Sequence, residues 1–196
     1  MRKVLTFMAA LCCTMFFSTV RATELSDKAV IQIGTTSITD ENKANVLEGT
    51  ANDGLVSYDP ESHTLSLSDG ASLEAIFIDV HAAADLFGVT IEVAGNVGIS
   101  SDGTPLHYVA FNYGYPLTIT GDENAQLNLM TYATTDCAAI LCAQSETSSS
   151  NSYTFKANGG MRINANNSWS NDYATIICHH VVLDGKSVLQ TSSINP

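Results

Sequence analysis

The sequence predicts an all-β chain: a right-handed parallel β-helix, a solenoid, closed at its start by an N-terminal β-hairpin cap. Three observations predict it. Short strand-like segments recur at Thr64–Leu67, Val89–Val93, Leu117–Thr120, Tyr153–Lys156 and Val181–Leu183. Counted from Leu65, Val89, Leu117, Tyr153 and Val181, their spacing of 24 to 36 residues lies in the range of repeat architectures. Glycine or Asn/Asp corners follow, as in Asp69-Gly70, Gly121-Asp122, Asn158-Gly159-Gly160 and Asp184-Gly185, because such corners need positive φ. No window sustains the 3.6-residue period of a helix.

The elements follow in order. Residues 1–22 read as a secretory signal peptide. Arg2 and Lys3 form its basic start, Val4 to Val20 is uncharged, and Val20-Arg21-Ala22 is a cleavage site. The uncharged run falls short of the ~20 apolar residues of a spanning helix. The expected location is therefore secreted (periplasm, cell surface or extracellular space), with no membrane insertion after cleavage. Leu11 before Cys12 argues against lipidation.

Residues 23–58 read as the cap and 59–196 as the β-helix repeats. In the cap, Val30–Ile33 alternates and stops at Gly34, and Ser37-Ile38-Thr39 returns as a short strand. Asp40 to Leu47 holds a helical turn with Asp40 as its N-cap. Val56-Ser57-Tyr58, the turn Asp59-Pro60-Glu61-Ser62 and Thr64–Leu67 form a hairpin.

Each repeat then adds a second apolar position, at Leu73, Val97, Leu127, Met161 and Val188. A third run closes four of the repeats, at Ala75–Ile78, Tyr108–Phe111, Ala139–Leu141 and Thr175–Ile177. Period-2 alternation points Ile119, Leu129, Ile140, Phe155, Ile163 and Ile176 inward. Cys142 and Cys178 end two third runs, so they occupy equivalent places on adjacent coils. Gln144–Ser152 and Asn164–Asp172 are polar loops that leave the coil. An antiparallel sandwich also has many short strands, but its unit order is mirrored, whereas here the order repeats.

Charge narrows the partners. The chain carries a formal charge of −12. The signal holds Arg2, Lys3 and Arg21 and no acid, so cleavage makes the remainder more acidic. Such a surface repels phosphate, which argues against nucleic acid and against anionic lipid. Three cysteines remain, an odd number in an oxidising compartment, so a monomer keeps at least one thiol.

Catalysis finds little footing. Glycoside hydrolysis needs two carboxyl groups flanking one bond, yet the aspartates scatter among different places in the repeats. A uronate lyase needs a basic group, and Arg162 has no acidic partner by spacing. His179 and His180 point to opposite sides of a strand, and His81 with Asp79 lacks a third metal ligand. The expectation is no enzyme, no cofactor and no metal.

Aromatic residues carry the functional lead. Phe111-Asn112-Tyr113-Gly114-Tyr115-Pro116 gathers three rings beside Gly and Pro, and Trp169 sits within Asn166–Asn171. Flat rings face sugar C–H surfaces while amides bond hydroxyls. Phe111 reads as core cover. Tyr113, Tyr115 and Trp169 are the candidate ligand-binding residues, set against the plainer role of stacking in corners. Val56-Ser57-Tyr58-Asp59-Pro60 with Thr64–Leu67, Leu117-Thr118-Ile119-Thr120-Gly121 and Ala139-Ile140 are similar to a group of secreted proteins. These are the predicted carbohydrate-binding β-helical proteins of gut Bacteroidetes. The resemblance spans about residues 30–190 and implies sugar binding without supplying a site motif. The expected role is a non-catalytic binding module for carbohydrate. The alternative is an adhesin or assembly subunit whose protein partner meets the C-terminal open coil.

Overall fold

The structure is a computed structural model that describes residues 30–80, 87–110, 115–132, 137–144, 154–167, 175–178 and 180–193. The described residues are all-β, with strands stacked in parallel into a β-solenoid of about three turns. None of them forms a helix long and apolar enough to cross a membrane.

Three sheets run the length of the solenoid. The first joins β3 (Val56–Asp59), β4 (Thr64–Leu67), β7 (Val89–Val93), β10 (Leu117–Thr120), β13 (Thr154–Asn158) and β16 (His180–Leu183). The second joins β5 (Ser72–Leu73), β8 (Asn96–Ser101), β11 (Gln126–Thr131), β14 (Arg162–Asn167) and β17 (Val188–Ser193). The third joins β2 (Thr36–Ser37), β1 (Val30–Ile33), β6 (Ile76–Asp79), β9 (Leu106–Ala110), β12 (Ile140–Gln144) and β15 (Ile176–Ile177). Each coil visits the three sheets in turn.

The cap uses antiparallel pairing. Gly34 turns β1 back into β2, and β1 lies against β6 with Ile31 opposite Ile78. The hairpin of β3 and β4 pairs Val56 with Leu67 and Asp59 with Thr64. Its turn is held by Asp59, whose carboxylate accepts from Glu61 N at 2.9 Å and Ser62 Oγ at 2.7 Å. These bonds hold the Asp59 carboxyl below its ordinary value, the Ser62 bond most. One expectation in the cap is corrected. Thr39, not Asp40, caps the single turn: its Oγ1 accepts from Asn42 N, and Asn42 Oδ1 accepts from Thr39 N at 2.7 Å. Asp40 instead accepts from Lys43 Nζ at 2.9 Å.

Inward side chains stack in ladders. Leu65, Ile91, Ile119 and Ala157 form one, and Val89, Leu117 and Phe155 another. Val97, Leu127 and Ile163 line the second sheet, and Leu106, Ile140 and Ile176 the third. Ile119, Leu129, Ile140, Phe155 and Ile163 are fully buried, and Ile176 packs against them half-buried. Cys178 follows the Leu141–Ile177 pair by one residue, as Cys142 does, so the two share a rung. Both are free thiols, and burial pushes both up from the ordinary thiol value.

The register corrects the starting points of the repeats. Leu65 pairs with Ile91, not Val89, and Leu117 pairs with Phe155, not Tyr153. Leu127 pairs with Ile163, not Met161. Each slip is two residues, which leaves every side chain on its own face. Val188 is a different error. It pairs with Arg162 on the outside, and Leu189 takes the inward place. Two loop assignments also shift: Gln144 belongs to β12, and Asn164–Asn167 belong to β14. Residues 168–172 lie outside the described residues, as does the predicted signal peptide.

Candidate functional site

The outer face of the second sheet carries an unusual set of side chains. Alternation on β11 sends Leu127 and Leu129 inward and Gln126, Asn128 and Met130 outward. Alternation on β14 does the same for Arg162, Asn164 and Asn166. Parallel pairing brings Asn128 beside Asn164, and Asn164 beside Gln190 of β17.

These amides bond one another along the solenoid axis. Asn164 Nδ2 donates to Asn128 Oδ1 at 2.8 Å. Asn128 Nδ2 donates to Asn96 Oδ1 at 2.7 Å, and Gln126 Nε2 donates to Asn128 Oδ1 at 2.8 Å. The step from Asn128 to Asn96 is diagonal because Gly98, directly opposite Asn128, has no side chain to fill that place. Ser192 Oγ continues the pattern by donating to Asn166 Oδ1. Asn and Gln ladders of this kind stabilise stacked strands, so the track is structural before it is anything else.

At one end of β11 the polar track meets exposed apolar groups. Met130 is 46% exposed, and Tyr132, just past the strand, is 50% exposed. The Tyr132 amide donates to Ser101 O at 2.9 Å, so its backbone is fixed although its side chain is open. Beneath this edge two polar side chains are buried. Thr131 and Asn167 pair across β11 and β14, and Asn167 Nδ2 donates to Cys137 O at 3.0 Å. That bond ties the corner leading into β12 to the coil. Ring, thioether, amides and the Arg162 guanidinium therefore share one surface of the sheet.

Tyr115 is half-buried in the corner before β10, where its carbonyl accepts from Tyr108 Oη at 2.9 Å. Phe87 holds the equivalent corner place on the preceding coil, two residues before Val89, the partner of Leu117. His63 stacks on Phe87 with ring centroids 3.5 Å apart. Tyr115 thus belongs to a corner column. Tyr113 and Trp169 lie outside the described residues.

Sequence reasoning passed over Tyr132, Met130 and the amide track. A signal was present. Asn128, Met130 and Tyr132 alternate with Leu127, Leu129 and Thr131, so an apolar pair sits where alternation demands polar residues.

His107 packs edge-on against Phe77 at 5.2 Å, and burial lowers its pKa against the opposing pull of Asp79. Among the described residues no three His, Cys, Asp or Glu side chains gather to hold a metal ion. No protein-family model matches the chain, and no curated protein and no solved structure matches it.

Proposed function

We propose that the protein is a secreted, non-catalytic module that lays a carbohydrate chain along the outer face of the second sheet. The observation that carries this reading is the open Tyr132 ring beside Met130 and the amide track of Gln126, Asn128 and Asn164. A tyrosine ring supplies an apolar face for sugar C–H groups and a hydroxyl for their polar edge. The bonds of the track hold its amides in fixed positions, so little ordering is required on binding. Neighbouring strands rise by ~4.8 Å, so a ligand laid along the axis meets an amide on three successive coils, at Asn128, Asn164 and Gln190. The sequence resemblance to predicted carbohydrate-binding β-helical proteins supports the same reading. Tyr113, Tyr115 and Trp169 remain candidates for a second aromatic platform.

One observation favours an assembly subunit instead. Val181 and Leu183 hold inward ladder positions in β16, the last strand of its sheet among the described residues, yet they are 45% and 46% exposed. A glycan array separates the two readings. Binding to a neutral polysaccharide is expected, with loss on Tyr132→Ala. No binding across a broad panel, together with self-association at micromolar concentration, would favour assembly.

A further inference from the structure

We propose that the cleft between the cap and the first coil is a separate site for one sugar ring, selective for a ring that carries an amine. The cleft has a volume of about 270 Å³. That is just below the ~300–1,000 Å³ typical of drug-sized ligand pockets, which suits a single ring and not a chain. Leu47 gives it apolar surface, with Ile33 and Leu73 almost fully buried at its wall, and Thr36, Asn52 and Glu74 give it polar walls. Apolar surface with a few placed polar groups is what a hydroxylated ring requires.

The fold fixes these walls. Asn52 behaves as a strand neighbour to β5: its Nδ2 donates to Ser72 O at 2.9 Å and its Oδ1 accepts from Ser72 N at 2.8 Å. Both bonds lock the Asn52 side chain before any ligand arrives. On the opposite side, Gly34 turns with φ 55°, and a Cβ there would collide with the Glu74 carboxylate. The missing side chain leaves that carboxylate room over the turn. Glu74 is the one ionisable group lining the cleft, and among the described residues it forms no ion pair. A lone carboxylate among hydroxyl and amide groups favours an ammonium and repels a uronate.

The site is independent of the outer-face reading, since it shares neither Tyr132 nor the amide track. Titrations followed by amide NMR test it, using glucosamine at about pH 6, where an amine of this class is protonated. Glucosamine should shift the amides of Gly34, Thr36 and Asn52 and saturate. Glucose should bind roughly tenfold more weakly, as expected for one charge-assisted hydrogen bond. Glucuronate and methylamine should leave these amides unmoved. Glu74→Gln should reduce glucosamine to the level of glucose, while Tyr132→Ala should change nothing here. Absence of saturable shifts at these amides would overturn the proposal. So would equal glucosamine affinity in Glu74→Gln, or a methylamine response matching that of glucosamine.

Discussion

Gly159 turns the corner between the first and second sheets with φ 85°, and a Cβ there would overlap the carbonyl oxygen of Gly121 one coil below. Two penalties therefore act on Gly159→Ala: an L-residue in the left-handed region and a backbone collision. Together they should cost about 2 kcal/mol or more, seen as a clear fall in melting temperature. Gly98 is the matched control. Nothing lies within 4 Å of its Cβ position, and its φ is not left-handed. Gly98→Ala should be neutral or stabilise by up to ~1 kcal/mol through the unfolded chain. Equal losses in both variants would refute the stacked-corner geometry.

His107 gives a pH dependence with a defined sign. Burial lowers its folded pKa below 6.5, and Asp79 opposes this only in part. Between the folded value and 6.5 the unfolded chain binds more protons. Its contribution is therefore complete above 6.5 and is lost as pH falls through that value toward the folded one. Comparing denaturant midpoints at about pH 7.5 and about pH 5, His107→Gln should lose less stability on acidification than the parent. An identical loss would assign the pH dependence to other groups.

At the scale of elements, each strand is held by its place in a ladder. Ile140 is fully buried and pairs with Leu106 on one side and Ile176 on the other. Ile140→Asp leaves a carboxylate in an apolar core at a cost of several kcal/mol. The variant should be unfolded by circular dichroism, whereas Ile140→Val should lose only about 1 kcal/mol. A folded Ile140→Asp would mean that the inward register is wrong.

Much of this was legible in the sequence because period 2 is forgiving. Starting a repeat at Tyr153 instead of Phe155 shifts the register without changing which face a residue occupies. Val188 shows the limit. Val188-Leu189 offers two adjacent apolar residues, and only pairing with Arg162 and Ile163 decides which one points inward. The turn at Thr39 was misplaced for a related reason: Thr39 and Asp40 both suit an N-cap, and the choice rests on Asn42 returning a bond to Thr39 N. The amide track was hidden because its bonds join residues 32 and 36 positions apart. Of the three aromatic candidates the described residues include only Tyr115. Tyr115 has the composition of a loop, but the coil places it in a corner column behind Phe87.

For the whole molecule, the solenoid supplies a long surface with repeating chemistry. The cap pairs antiparallel with β6 and occupies one end. The chain as a whole carries a formal charge of −12, which disfavours polyanions, so a neutral glycan is the fitting ligand for the second sheet. Binding should then be nearly independent of salt, since no net charge is neutralised. A steep loss of affinity at high salt would point to a charged ligand instead.

The most direct measurement is calorimetric titration of a neutral polysaccharide, chosen from a glycan array, into the parent protein and into Tyr132→Ala. The parent should bind, and the variant should bind about tenfold or more weakly, the loss of ~1.4 kcal/mol that one aromatic contact supplies, with its melting temperature unchanged. Equal affinity in the two proteins would contradict a ligand-binding outer face on the second sheet.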